Sequence, residues 1–493
     1  MSEKQKFGTL AFAAAVLFAL TGCSHAVFQQ STGGGNNGTS PVILTLHDTA
    51  ASGITITSFE LTVTGATLTP TAGAPIPLLS TPQTIELTQL QANSAFLSST
   101  QVNFGSISGM TITFSNAQFT FINNTGAAVT VGTVICNPGA SCVVTPTISG
   151  ASNITFSGAP FPFQVAQDQQ NLLEVDLNLG NIVQSDFSVN FGATGAGTVT
   201  KTQTTVVVGA TTFNVFNTID LNGSIGSVDS TKKTFTLAAS TGQNLTIAAD
   251  NSTGFIFGQA CTANDFTCLT AGRLVDVQMV VLSDGSLLAK AIRFDDASAT
   301  QQLTGEIVAL NGTPPTSFTM VVHNEVPSLS SAPLGTPIDV TIGNTATFGV
   351  NNFSPLPSGV SFASSSDLLV GQEVEARLSG TFSAGPPPSF TTDRIMLAPT
   401  QITAPVASVS LQVQMFVISP LPSLFTSAPT NAFTQIQIDA SDTFGTVFQN
   451  LPSQDLTGLR VGQQAAVAGF LFNTISSSGS PTIVAVAVRD DGP

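Results

Sequence analysis

Apolar and polar residues alternate with a period of two over short stretches of this chain. Ile54 and Ile56 alternate with threonines, and Phe59, Leu61 and Val63 continue in the opposite phase. Residues two apart share one face of a strand, so the phase change predicts a bulge or bend near Thr57-Ser58. Met110, Ile112 and Phe114 form another run, Phe119 and Phe121 a further one, and Leu173, Val175, Leu177 and Leu179 another. No long window carries a 3.6-residue period, and Leu87 to Phe96 holds a helical turn at most. Short strands punctuated by Gly, Pro and Asn predict an all-β fold of sandwich or barrel type.

The second half repeats itself. Leu269-Thr-Ala-Gly272-Arg-Leu-Val-Asp-Val277 matches Leu368-Leu-Val-Gly371-Gln-Glu-Val-Glu-Ala376 and Leu459-Arg-Val-Gly462-Gln-Gln-Ala-Ala-Val467. The glycines are 99 and 91 residues apart. A Thr/Phe pair precedes each match, at Thr253/Phe255, Thr347/Phe348 and Thr443/Phe444. A closing strand follows each, ending near Phe294, Leu397 and Arg489. The first two units open alike, at Leu221-Asn-Gly223 and Leu303-Thr-Gly305, while the third opening, near Val406, is degenerate. So long a repeat fits three tandem domains, each a small barrel of about five or six strands, better than a solenoid.

Composition narrows the partners. Of 493 residues only 8% are charged, 42% are hydrophobic, and 35 Phe stand against no Trp and no Tyr. The polar surface is therefore mostly neutral amide and hydroxyl. A net charge of −16 argues against sequence-independent nucleic-acid binding and against electrostatic attraction to anionic membranes.

The first 22 residues read as an export leader: Lys4 and Lys6 precede a mostly apolar stretch from Phe7 to Leu20, too short to span a bilayer comfortably. Leu20-Thr21-Gly22-Cys23 resembles the bacterial lipobox. That resemblance implies cleavage before Cys23 and acylation of its thiol and new amino terminus, hence membrane attachment through lipid. Ser24 in the next position, rather than Asp, favours the outer membrane. The glycine-rich stretch up to Ser40 reads as a tether. Lipidation of Cys23 leaves four cysteines in two local pairs, Cys136-Cys142 and Cys261-Cys268, which predict disulfides in an oxidising compartment. Free thiols or a shared metal site are the alternatives, the latter without the usual Cys-x-x-Cys spacing.

Residues 42 to about 195 resemble the bacterial domain of unknown function 4382, through Leu44-Thr-Leu-His-Asp48-Thr-Ala50, Ile85-Glu-Leu-Thr-Gln-Leu90 and Gly109-Met-Thr-Ile-Thr-Phe114. The three C-terminal units resemble the domain of unknown function 5666, the third more weakly. Neither resemblance implies an activity or site residues.

Candidate chemistry is sparse. His25 belongs to the tether. His47 and Asp48 are neighbours on a strand and point to opposite faces, so a structural turn role is expected rather than a catalytic pair. His323 reads as surface or core packing. Asp295-Asp296 and Asp490-Asp491 follow closing strands and read as solvated strand ends rather than calcium ligands. Glu174 and Asp176 share a strand face and are expected to meet solvent; paired carboxylates of this kind could act on sugars.

The expected organisation is a leader at 1–22, a tether at 23–40, a β-sandwich-like domain at 41–195 and a linker or edge strand at 196–218. Three OB-like barrels follow at 219–298, 301–400 and 403–491. The expected role is that of a non-enzymatic, lipid-anchored cell-envelope module that binds or spaces partners, an envelope protein or a glycan. No catalytic residue, metal ligand or cofactor is assigned. The alternative is an exported polysaccharide hydrolase using Asp/Glu pairs.

Overall fold

The computed structural model describes residues 38–492 apart from 50–54, 168, 206–218, 240, 258–259, 283, 295–300, 327–333, 352–355, 427–431, 442–445, 452–454 and 474–479. Cys23, His25, Asp295, Asp296 and the pair Thr443-Phe444 lie outside the described residues.

The chain is all-β. Its N-terminal part is built from two sheets. In the smaller, the strand Thr39–Thr49 runs parallel to Gln169–Asn178 and antiparallel to Ala95–Asn103, with Gly197–Thr205 as the outer strand beyond Gln169–Asn178. Thr39 and Ser40 are thus already strand rather than tether. The larger sheet centres on the long strands Thr55–Pro70 and Gly105–Ile122. Their register shifts between Ile56 and Ser58, where the alternation changes phase. The helical turn at Leu87–Leu90 is capped by Glu86, whose side chain accepts from the Thr88 N–H. Phe59, Phe114, Phe119 and Phe121 fill the core between the sheets.

Three closed five-stranded barrels follow, at 219–294, 302–398 and 400–492. In each, the strands join in the order first, second, third, fifth, fourth, and the third and fifth pair in parallel. The repeated glycines explain why this closure is readable in sequence. Gly272, Gly371 and Gly462 have φ of +83°, +88° and +90°, a region that side-chain-bearing residues rarely enter. Each donates its N–H to the opening strand, at Ile225 (2.7 Å), Ile307 (2.8 Å) and Val406 (2.8 Å).

The degenerate third opening also has a physical reason. A Cβ at Gly223 would lie 2.3 Å from the Ala238 carbonyl oxygen, and one at Gly305 would lie 2.1 Å from that of Val321. In the third barrel the corresponding residue is Ala404, and pairing with the second strand begins only at Val406 with Ile418. The crowding is relieved, so a side chain fits. The opening strand starts at Thr400, separated from the preceding barrel by Pro399 alone. In this unit Thr446 and Phe448 occupy the places of Thr253 and Phe255: both threonine hydroxyls donate to the fifth strand, at Ala485 (2.7 Å) and Ala289 (2.8 Å).

Residues 38–493 form one compact unit rather than a string of separate modules. The smaller N-terminal sheet is covered on both faces. Val42, Leu44 and Leu46 point into the sandwich core, while Ile43, Phe96 and Leu172 join the core of the first barrel. On the third barrel Ala92 packs among Ala466, Ala468 and Ala487, where small side chains allow close approach. Gln401 fixes that contact by accepting from the Ala92 N–H at 3.0 Å.

Candidate functional site

Several of the buried charged residues lie where domains of this chain meet. Three groups of them matter, and each is built by strand register.

The first surrounds Arg489. In the parallel pair, His47 lies beside Asp176, so both project from the outer face of the smaller sheet, toward the last strand of the third barrel. An Arg489 Nη donates to His47 Nε2 at 2.6 Å. Nε2 is therefore the acceptor nitrogen, and Nδ1, which carries the proton, faces Asp176 Oδ1 at 3.3 Å. Burial first, and the Arg489 charge second, push the His47 pKa down to about 3. Arg489 also reaches Glu174 at 3.4 Å and Asp491 at 3.1 Å, and Ser94 donates to Glu174 at 2.8 Å. Glu174 and Asp176 do share a face, but it is an interface and not the solvent surface expected for it. The adjacency of His47 and Asp48 puts them on opposite faces, and His47 serves the interface rather than a turn.

The second group surrounds His323, on the outward face of the second barrel. Its Nε2 donates to the Thr57 carbonyl at 2.6 Å, and its Nδ1 lies 3.0 Å from the Glu373 carboxylate and 2.8 Å from the Gln89 amide. Burial disfavours a charged ring. The Glu373 carboxylate, with Glu86 and Glu306 behind it, outweighs burial and raises the pKa to about 10. His323 is neither surface nor core packing; it is a buried ionic link between two domains. Glu306, on the opening strand of the same barrel, is pushed up to about 8 by burial, against the pull of His323.

The third group is the bond network joining the first two barrels. Asp276 pairs with Arg293, and Glu375 with Arg394 at 2.9 Å. Asn351 Nδ2 sits 3.3 Å from both carboxylates.

Between the first two groups lies a cavity of about 980 Å³, walled by the N-terminal part and by the second and third barrels. Its walls carry amides and hydroxyls, among them Thr88, Gln89, Asn178, Gln401 and Thr403. Phe121, Phe187 and Phe425 stand in the same walls, Phe121 and Phe425 almost fully buried. Phe187 packs on Phe121 with ring centroids 5.0 Å apart and is held at φ +63°, a costly conformation for a bulky residue. Three carboxyl-bearing residues, Asp48, Glu306 and Asp491, line the same space. Asp491 was expected at a solvated strand end; instead burial raises its pKa to about 7 against the opposing charge of Arg489. Its neighbour Asp490 accepts from the Gln463 amide at 3.0 Å.

Asp48 is the most constrained of the three. It follows Val42, Leu44 and Leu46 on the core-facing side of its strand, is 1% exposed, and its carboxyl receives a hydrogen bond from the Leu179 backbone N–H. Burial first, then the charges of Asp176, Glu86 and Asp491, push its pKa well above the usual carboxylate range.

Among the described residues, no group of three or more His, Cys, Asp or Glu is arranged to hold a metal ion. The cysteine pairs sit at disulfide distance: Cα atoms are 5.8 Å apart for Cys136-Cys142 and 5.9 Å for Cys261-Cys268. No described helix is long and apolar enough to cross a membrane. Sequence reasoning passed over Glu306 and Gln401 because each is a lone polar residue in an alternating strand, with nothing local to mark it. No family model matches the chain, and no curated protein does.

Proposed function

We propose that this chain is an exported, lipid-anchored cell-envelope protein that acts by binding rather than by catalysis, with its ligand in the cavity between the N-terminal part and the second and third barrels. The observation that carries the reading is the cavity itself. At about 980 Å³ it is of ligand size, and it is lined by neutral hydrogen-bonding groups and aromatic surface, the mixture expected for an uncharged or weakly charged polar ligand such as a glycan. Attachment through Cys23, with the outer membrane as destination, rests on the lipobox resemblance. The resemblances to the domains of unknown function 4382 and 5666 are in keeping with a non-enzymatic envelope role.

The hydrolase alternative draws less support. Glu174 is engaged by Arg489 and Ser94, and Asp176 faces His47, so neither carboxylate is presented to a substrate in the way acid/base work on a sugar requires.

Two measurements test the proposal. Metabolic palmitate labelling should mark the wild type and not Cys23→Ser; equal labelling would refute the anchor. The delipidated protein should bind an envelope fraction or a polysaccharide panel without hydrolysing it. Absence of binding to all of them, or hydrolysis that survives Glu174→Gln with Asp176→Asn, would each count against the binding reading.

A further inference from the structure

Amide side chains crowd the walls of the large cavity, and several of their oxygens are already engaged by the protein. Gln401 Oε1 accepts from the Ala92 N–H at 3.0 Å, Asn178 Oδ1 from the Asn181 N–H at 3.1 Å and Asn123 Oδ1 from the Thr125 N–H at 3.1 Å. A main-chain N–H can be met only by the amide oxygen, so each bond fixes which end of the side chain is which. Asn123 uses its nitrogen as well, on the Ala127 and Cys136 carbonyls at 2.7 and 2.8 Å. Gln401 Nε2 and Asn178 Nδ2 have no partner among the described residues. Gln401 is 8% exposed, yet its Nε2 is not sealed from solvent. The two donors come from different walls, Asn178 from the end of a strand in the N-terminal part and Gln401 from the opening strand of the third barrel. Native structures normally give a largely buried amide N–H an acceptor, so what these walls lack is an acceptor.

The walls disfavour an anionic acceptor. Glu306 and Asp491 line the cavity and none of its lining residues is Lys, Arg or His, so a phosphate or carboxylate would enter beside two carboxyl groups with no counter-ion. A neutral carbonyl oxygen satisfies the donors without that cost. On a sugar the group that carries one is acetamido. Its N–H needs an acceptor, and the Glu306 carboxyl stands in the same lining. Its methyl needs apolar surface, and Ile56, Phe187, Pro420 and Pro422 supply it, all partly or fully accessible. Resting on the binding role proposed above, we infer that the cavity takes an N-acetylated sugar, with Gln401 and Asn178 donating to acetamido carbonyl oxygen.

Gln401 also lines a smaller cavity of about 280 Å³, whereas Asn178 lines the larger one alone. A ligand that responds to both residues therefore sits in the larger space. Two substitutions remove the donors with little change of shape. Gln401→Met keeps the length of the side chain without its N–H groups. Asn178→Asp keeps the oxygen that caps the Asn181 N–H and replaces the free donor by an acceptor.

The test uses the full chain carrying Cys23→Ser and isothermal titration calorimetry with four probes: a β-1,4-linked N-acetylglucosamine trisaccharide, its deacetylated counterpart, a β-1,4-linked glucose trisaccharide and N-acetyl-trialanine amide. The N-acetylated sugar should bind about tenfold or more tighter than any other probe. Gln401→Met and Asn178→Asp should each weaken it about three- to tenfold, with an unchanged far-ultraviolet circular dichroism spectrum. Should Gln401→Met fail to fold, Asn178→Asp carries the test alone. If the three sugars bind alike, the acetamido assignment is overturned while glycan binding stands. If the N-acetylated sugar binds best and neither variant weakens it, the two donors are not its site and the inference fails. If the blocked peptide binds as tightly as the N-acetylated sugar, the sugar part is overturned. If no probe binds while an envelope fraction does, the inference fails and the wider binding reading survives.

Discussion

His323 in the second barrel donates from Nε2 to the main-chain carbonyl of Thr57 in the N-terminal part, at 2.6 Å and buried from solvent. Thr57 stands where the register of its strand slips, between Ile56 and Ser58. A bulge frees a carbonyl from the sheet ladder, and here another domain uses it. The ring's other nitrogen meets Glu373, so one imidazolium ties a main-chain irregularity to a buried carboxylate.

His323→Leu should therefore destabilise the protein well beyond a surface change. It leaves Glu373 buried without its charged partner, a loss of roughly 3–5 kcal/mol for a broken buried pair. Urea unfolding of the two proteins measures it. A change below about 1 kcal/mol would show that the link contributes nothing net.

Stability should fall as pH rises from about 5 to about 9. Burial holds Glu306 protonated up to about 8 and Asp491 and, with Glu86 beside it, Glu60 up to about 7, whereas the unfolded chain releases these protons near 4. His323 keeps its proton to about 10 but loses it near 6.5 when unfolded. In each case the folded state binds more protons, so stability present at low pH is lost on the way up, by about 1.4 kcal/mol per pH unit for every proton of difference. His47 acts the other way. Folded it stays neutral down to about 3, so below 6.5 it opposes the trend by one proton. Melting temperature across pH 5–9 is the measurement, and a rise over that range would contradict the assignment.

Gly305→Ala should destabilise strongly, because the new Cβ would meet the Val321 carbonyl oxygen at 2.1 Å and strand must move away from strand. Ala404→Gly, at the matching position of the third barrel, should cost only about 0.5–1 kcal/mol, the added freedom of an unfolded glycine. Thermal unfolding of both variants separates a steric requirement from a mere preference; similar losses in the two would remove the explanation offered for the degenerate repeat.

Arg489→Met should cost about 2–4 kcal/mol, since Glu174 and Asp491, both half-buried, would lose their counter-charge. Adding Glu174→Gln should return part of that loss, and a double-mutant cycle reads the coupling directly. Additive losses would mean the two residues do not interact.

The sequence by itself determined the strands, the repeat and the barrels, because each is imposed by local constraints. Alternation reports which face of a strand is dry. The phase change at Thr57-Ser58 reports a bulge. Gly272, Gly371 and Gly462 recur because a positive φ is required at each closure, and Gly223 and Gly305 because no Cβ fits beside the second strand. Such requirements act within a few residues and leave a visible mark.

Only the tertiary structure decided what the polar residues do. Glu174 and Asp176 look like a solvent-facing pair until the third barrel brings Arg489 against them, 315 residues from Glu174 in the chain. His323 looks like an isolated strand histidine until the Thr57 carbonyl arrives from 266 residues away. Asp48 reads as the end of a strand until Asp176 and Glu86 of the N-terminal part and Asp491 of the third barrel gather their charges around its buried carboxyl. Ionic and hydrogen-bonding partners are set by which surfaces dock, and docking depends on shape and burial summed over whole domains, so no spacing along the chain records it.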